Sequence, residues 1–333
     1  MQHAEGRSKM FRTPIKAMAL IALIFSTYAF AQLTPEQEAA KKRGITLFNQ
    51  YKTAEPELRI AAEAGDTEAQ FYLGEELRQQ SQYITAEAQN WYEAAALQGD
   101  LYAMLRLATS ENDLCNVMNN CTQSSKKRTD WIDLLNKETE KRANNNDGEA
   151  MYVKYLYTGQ LEWLEKSAEF KFARSQWLLA SRYKEGEKFF LPWKRSEEVG
   201  RLLKASAENG FPAGMLEYAA YLYEHGGDLS DARYWIEEAA KTGYQSGVSS
   251  YGAYLAHASS LYDFPLDLVK GYALTSLLTE LDGGGNIKPY VDEVLPEIAS
   301  KMSPAQITEA KAFAKQWKDT HPPLSFYPGK YGL

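Results

Sequence analysis

Residues Ala61–Leu73 read AAEAGDTEAQFYL, and 34 positions later Ala95–Leu107 read AALQGDLYAMLRL. The two stretches share Ala-Ala, a Gly-Asp step (Gly65-Asp66, Gly99-Asp100), an alanine (Ala69, Ala103) and a leucine (Leu73, Leu107) in one register. Small residues every fourth position let neighbouring helices approach closely, and a constant offset marks one structural unit used repeatedly. Tryptophans extend the pattern, since Trp91, Trp163 and Trp235 stand 72 residues apart. Eight residues after each comes Gly99, Lys171 or Gly243; sixteen after comes Leu107, Leu179 or Tyr251, each followed by a small residue. Coincidence at so many offsets defines packing positions. The expected fold is all-α, a right-handed α-solenoid of antiparallel helix pairs.

Working outward, Thr34-Pro35-Glu36-Gln37 reads as a capped helix start, with Thr as cap, Pro in the first turn and Gln able to bond back. Residues 32–53 are expected to form an N-terminal capping helix and residues 54–286 the repeat array. Units between the clear ones are degenerate, as in Asn146–Tyr157 and Leu202–Tyr223. Residues 110–128, polar and containing Cys115 and Cys121, read as a loop inserted in the array. Gly283-Gly284-Gly285 reads as a helix stop. Residues 287–333 are expected to hold a closing helix pair, the second opened by Ser303-Pro304-Ala305-Gln306, and an aromatic tail lying against the terminal helices.

The first 31 residues stand outside this core. Arg7, Lys9, Arg12 and Lys16 precede the apolar run Ala17–Phe30, which exits through Ala29-Phe30-Ala31, the pattern of a secretory signal peptide cleaved before Gln32. The competing reading is a membrane anchor, but the run falls short of the ~20 residues that span a bilayer. No later segment has the length and apolarity of a span. The formal net charge is −7, and loss of a leader with four basic residues and one acid leaves −10. Such a surface repels nucleic acid and anionic lipid and favours basic or neutral partners. In an exported protein Cys115 and Cys121 are expected to form a local disulfide; a metal site would need further ligands, and the neighbouring residues offer no histidine.

The residues resemble a known family, the Sel-1-like repeat, a relative of the tetratricopeptide repeat. Its unit of about 36 residues carries small-x-x-x-Gly-x-x-x-Ala-x-x-x-Leu-Gly-x-x-Tyr and then Ala-x-x-Trp-Tyr-x-x-Ala-Ala. Ala61, Gly65, Ala69, Leu73-Gly74, Ala88, Trp91-Tyr92 and Ala94-Ala95 match it, as do Leu179-Ala180, Tyr183, Gly186, Trp235, Ala239-Ala240 and Gly243. Lys171 for Gly, Lys154 for Leu and the cysteine insertion depart from it. The resemblance spans residues 55–318 and implies a scaffold for protein–protein interaction on a concave surface, with no cofactor.

Enzyme signatures are scarce: the chain has no HExxH, Walker loop, GxSxG or GxGxxG. His225, before Gly226-Gly227, reads as a helix-end cap. Ser124-Ser125-Lys126-Lys127 contains Ser-x-x-Lys, the spacing of penicillin-recognising enzymes, but in a polar loop. The principal expectation is an exported, non-enzymatic repeat scaffold of the periplasm or cell envelope. An immunity protein that neutralises a secreted lipase-type effector is the alternative, and a weak cell-wall or β-lactam hydrolase a second.

Which residues would face a partner follows from helix geometry together with the tetratricopeptide arrangement that the resemblance implies, in which the face opposite the contact within a pair lines the concave groove. Leu73 or Leu179 points at the second helix of its own unit, so positions two before and two after lie about 160° away. That face gives Phe71 and Glu75 in one unit, Trp177 and Ser181 in another, with Arg78, Lys184 and Tyr223 at later turns. The alternative is that these side chains fill gaps between successive units.

Overall fold

The Gly-Asp step explains itself in three dimensions. Gly65 (φ 92°) and Gly99 (φ 94°) take the left-handed conformation that ends one helix. The following aspartate opens the next: Asp66 Oδ1 accepts from the Ala69 N–H and Asp100 Oδ1 from the Ala103 N–H, both at 2.8 Å. At Asn146-Asp147 and Lys171-Phe172 the first residue also takes positive φ (65° and 61°), so the lysine that departs from the repeat keeps its geometry.

The computed structural model describes residues 33–188, 191–281 and 287–327. The leader and its cleavage point, and the glycine stop at 283–285, lie outside the described residues. The described chain is helical throughout: α1 (Pro35–Asn49), α2 (Glu55–Glu63), α3 (Thr67–Ser81), α4 (Ala86–Leu97), α5 (Leu101–Ala108), a short α6 (Leu114–Met118), α7 (Arg128–Ala143), α8 (Gly148–Thr158) and α9 (Leu161–Glu169). It continues through α10 (Ala173–Lys184), α11 (Pro192–Glu208), α12 (Pro212–Glu224), α13 (Leu229–Lys241), α14 (Gln245–Leu255), α15 (Leu268–Leu277), α16 (Ile287–Ser300) and α17 (Pro304–Thr320).

Successive helices pack in pairs, α3 on α4, α5 on α7, α10 on α11, α12 on α13. The first helices of neighbouring pairs also touch, α1–α3, α5–α8, α10–α12 and α12–α14, which makes them the inner layer of the stack. The architecture is an α-solenoid. Close approach needs its small residues: a Cβ on Gly74 would lie 2.7 Å from the Tyr92 ring. The repeat tryptophans are partly buried, while the residue after each lies deepest: Tyr92, Leu164 and Ile236.

The insertion at 110–128 is more ordered than a plain loop. It contains a 3₁₀ turn at Ser110–Asn112 and α6, and Cys115 is bonded to Cys121 with Cα atoms 4.7 Å apart. Buried Glu93 of α4 holds it from below, accepting from Ser124 Oγ at 2.7 Å and the Ser125 N–H at 3.1 Å. Burial works to raise the Glu93 carboxyl, and these hydrogen bonds outweigh it, so its pKa is lowered. Ser124 also accepts from the Trp131 indole N–H at 3.0 Å, so it is engaged as a strut between Glu93 and Trp131.

Candidate functional site

The face expected to meet a partner divides in two. In the first unit it is closed. Phe71 and Glu75 are both 0% exposed, so they lie inside the stack and are not offered to a partner. Phe71 packs against Tyr72, Tyr92 and Tyr102, filling the space toward the next unit. Glu75 accepts from Arg106 Nε at 2.6 Å and Nη2 at 2.9 Å, from the Tyr92 hydroxyl at 2.8 Å and from Arg78 Nη2 at 3.3 Å. A buried carboxylate is tolerated only with such pairing. Burial, and then the Glu75 charge, push the Tyr92 hydroxyl well above its ordinary range, keeping it a donor. Arg78 belongs to this network and is not an open contact residue.

In the central units the same face opens into a cavity of about 450 Å³ between α10, α11 and α12. Ser181 and Lys184 of α10, Arg195 and Ser196 of α11, and Glu217, Tyr221, Glu224 and His225 of α12 line it. Trp177 stands at its side, half-buried: its ring meets Phe211 at 5.5 Å, and its indole N–H donates to Glu217 Oε1 at 2.5 Å. Trp177 therefore also bridges successive units, as the gap-filling alternative requires. Burial raises the Glu217 carboxyl pKa; the Trp177 hydrogen bond and the Lys184 charge pull against it without reversing it.

His225 closes one wall. Its Nδ1 lies 2.9 Å from the Tyr221 carbonyl oxygen, which makes that nitrogen the donor and leaves Nε2 to accept from the Ser196 hydroxyl at 2.8 Å. Its ring stacks on Tyr221 at 4.1 Å. The cap read from the sequence thus also ties α11 to α12. Tyr223 is 44% exposed and leans on Tyr262 at 5.1 Å.

The structure therefore brings Ser181 and Lys184 together, sets Trp177 beside them, turns Tyr223 onto Tyr262 outside the cavity lining, and buries Phe71 and Glu75. Sequence reading missed Glu217, Arg195 and Trp193. Trp193 is 60% exposed and adjoins Pro192 of the cavity wall. The sequence carries no signal for it, since Trp131 also stands outside the 72-residue spacing and is buried. Among the described residues no cluster of three or more His, Cys, Asp or Glu is placed to hold a metal, and no helix is long and apolar enough to cross a membrane.

No family model matches the sequence, and no curated protein sequence matches it. The fold is similar to that of a protective antigen of uropathogenic Escherichia coli strains described as displaying an SLR fold, at 17% identity and a TM-score of 0.48 over 86% of this chain. The chain spans 62% of that protein's length. It is also similar to a Sel1 repeat protein from Oxalobacter formigenes, at 19% identity and a TM-score of 0.40, over 76% of this chain and 98% of the other.

Proposed function

We propose that the protein is an exported scaffold without chemistry of its own, and that it holds another protein of the cell envelope at the step between α10 and α12. The cavity carries this reading. At the α3–α5 step the corresponding space is filled by Glu75 and its arginines, whereas here it is open and lined by both charge signs. Exposed Trp193 adjoins its wall residue Pro192 in sequence, and aromatic side chains beside a polar pocket are frequent anchors of protein interfaces. Export is supported by the Cys115–Cys121 bond, since such bonds persist in oxidising compartments.

The test uses the purified chain as bait in a periplasmic extract, with mass spectrometry of what is retained. Trp193→Ala and Lys184→Ala are expected to keep the wild-type denaturation midpoint and to reduce retention about tenfold or more, the loss of one interface anchor. Retention equal to wild type in both variants would remove this cavity from the interface.

A further inference from the structure

An α-solenoid is normally open, because each unit touches only its neighbours and the overall curvature is the sum of small rotations. The C-terminal segment breaks that rule. After α17, His321 stacks on Trp317 at 3.8 Å, and the chain leaves the helix through Pro322-Pro323. It then bonds to two distant places at once. On one side the Ser325 N–H donates to the Gly243 carbonyl at 2.9 Å and the Gln245 N–H donates to the Ser325 carbonyl at 2.8 Å, a parallel bridge on the α13–α14 turn. On the other, Gln50 Nε2 donates to the Leu324 carbonyl at 2.9 Å and the Phe326 N–H donates to the Asn49 carbonyl at 3.0 Å, at the end of α1. Tyr51 adds ring contacts to Phe326 at 5.0 Å and Tyr327 at 5.5 Å.

The turn glycines record the same event. Gly65, Gly99, Gly210 and Gly243 all have positive φ, and a Cβ on the first three would meet nothing within 4 Å. On Gly243 it would lie 2.5 Å from the Pro323 carbonyl oxygen and 2.8 Å from that of Pro322. One turn of the series is covered, and the tail covers it.

We propose that residues 322–327 are a strap that ties the first helix to the α13–α14 turn and, by closing the stack on itself, sets the width of its inner face. The reading is independent of which protein that face receives. The half on the α13–α14 turn is two backbone hydrogen bonds and the half on α1 is two hydrogen bonds with two aromatic contacts, weak enough to release and strong enough to bias a curvature otherwise held only by neighbour packing.

Hydrogen exchange read by mass spectrometry and small-angle X-ray scattering test this on the whole chain, wild type beside three variants. Gly99→Ala and Gly243→Ala carry the same positive-φ penalty, but only the second displaces the prolines. In wild type the Ser325 and Phe326 amides are expected to be protected. Gly243→Ala should speed their exchange about tenfold or more, as expected when a backbone hydrogen bond opens, and should enlarge the radius of gyration. Gly99→Ala should do neither. Should Gly243→Ala fail to fold, Tyr51→Ala acts on the opposite anchor from an exposed position and is expected to give the same pair of changes. Free-peptide exchange at Ser325 and Phe326 in wild type would overturn the strap. So would protection that survives in both strap variants, or tail release with a scattering profile unchanged from Gly99→Ala.

Discussion

At the step from α3 to α5, Glu75 meets Arg106; at the step from α10 to α12, the residues in the same register are Ser181 and Glu217. Glu75 and Ser181 both follow the turn residue of their helix (Gly65, Lys171) by ten positions, and Arg106 and Glu217 follow theirs (Gly99, Gly210) by seven. In the first case a carboxylate reaches an arginine across the step and seals it at 2.6 Å. In the second a hydroxymethyl faces a carboxylate that is bound from the side by the Trp177 indole, no ion pair crosses between the two positions, and a cavity remains. Register decides which two positions confront each other across a step. Their chemistry decides whether the step is wall or opening.

The largest effect is expected where the seal is broken. Glu75→Ser leaves Arg106, Arg78 and the Tyr92 hydroxyl around a buried space without their common acceptor. Removing one partner of a buried ion pair costs about 3–5 kcal/mol, and the partial exposure of both arginines places this one near the lower figure. A denaturant midpoint within error of wild type would show that the network is ornamental.

A second contrast runs along the turns. Asp66, Asp100 and Asp147 cap α3, α5 and α8, whereas Phe172, Phe211 and Tyr244 stand at the same position before α10, α12 and α14 with no side-chain cap. The early units close their turns with hydrogen bonds and the later ones with rings, Phe172 on Tyr152 at 5.4 Å and Phe211 on Trp177 at 5.5 Å. Asp100→Ala is therefore expected to cost about 1 kcal/mol, the ordinary value of a lost cap. Phe211→Ala should cost about 3 kcal/mol, because it leaves a cavity as well. Equal losses in urea denaturation would mean that the two kinds of turn are held alike.

These contrasts also mark what the sequence could reveal. The 34- and 72-residue offsets are set by backbone geometry, a left-handed turn and a short helix pair, so they survive even where Lys171 replaces glycine. Cys115 and Cys121, six apart, are a local pairing and equally legible. Exposure on the inner face was not, because it depends on pairs 31 to 40 residues apart whose offset changes with the intervening helix. Phe71 and Trp177 occupy one register; the first is enclosed by three tyrosines and the second borders an opening. The tail was expected to lie against the terminal helices by its aromatics, and Phe326 and Tyr327 do meet Tyr51 at the end of α1; its backbone bonds to the α13–α14 turn are what no side-chain pattern encodes.

Exchanging the chemistry of the two steps sharpens the first comparison. Ser181→Glu with Glu217→Arg places in the central step the charges that face each other at Glu75 and Arg106. Both positions are partly exposed, so the change in stability is expected to stay within about 1 kcal/mol of wild type. Retention of the periplasmic partner should nevertheless fall, because the cavity is filled. Undiminished retention with an unchanged midpoint would place the partner elsewhere on the molecule.

The smallest effect is a slope. Burial raises the Glu217 carboxyl above its unfolded value, ordinarily about 4.3, so between those two values the folded chain holds a proton that the unfolded chain has lost. In that window this group makes stability fall as pH rises, and above it the cost of an ionised, half-buried carboxylate is fully present. Glu217→Gln keeps an oxygen for the Trp177 indole and cannot ionise. Below the window the variant and wild type should melt together; above it the variant should melt higher, with the difference opening just above the ordinary carboxylate range. A wild-type-minus-variant difference in melting temperature that is flat from pH 4 to pH 7 would mean that Glu217 is as well solvated as a surface carboxylate, and that the two steps differ less than their geometry implies.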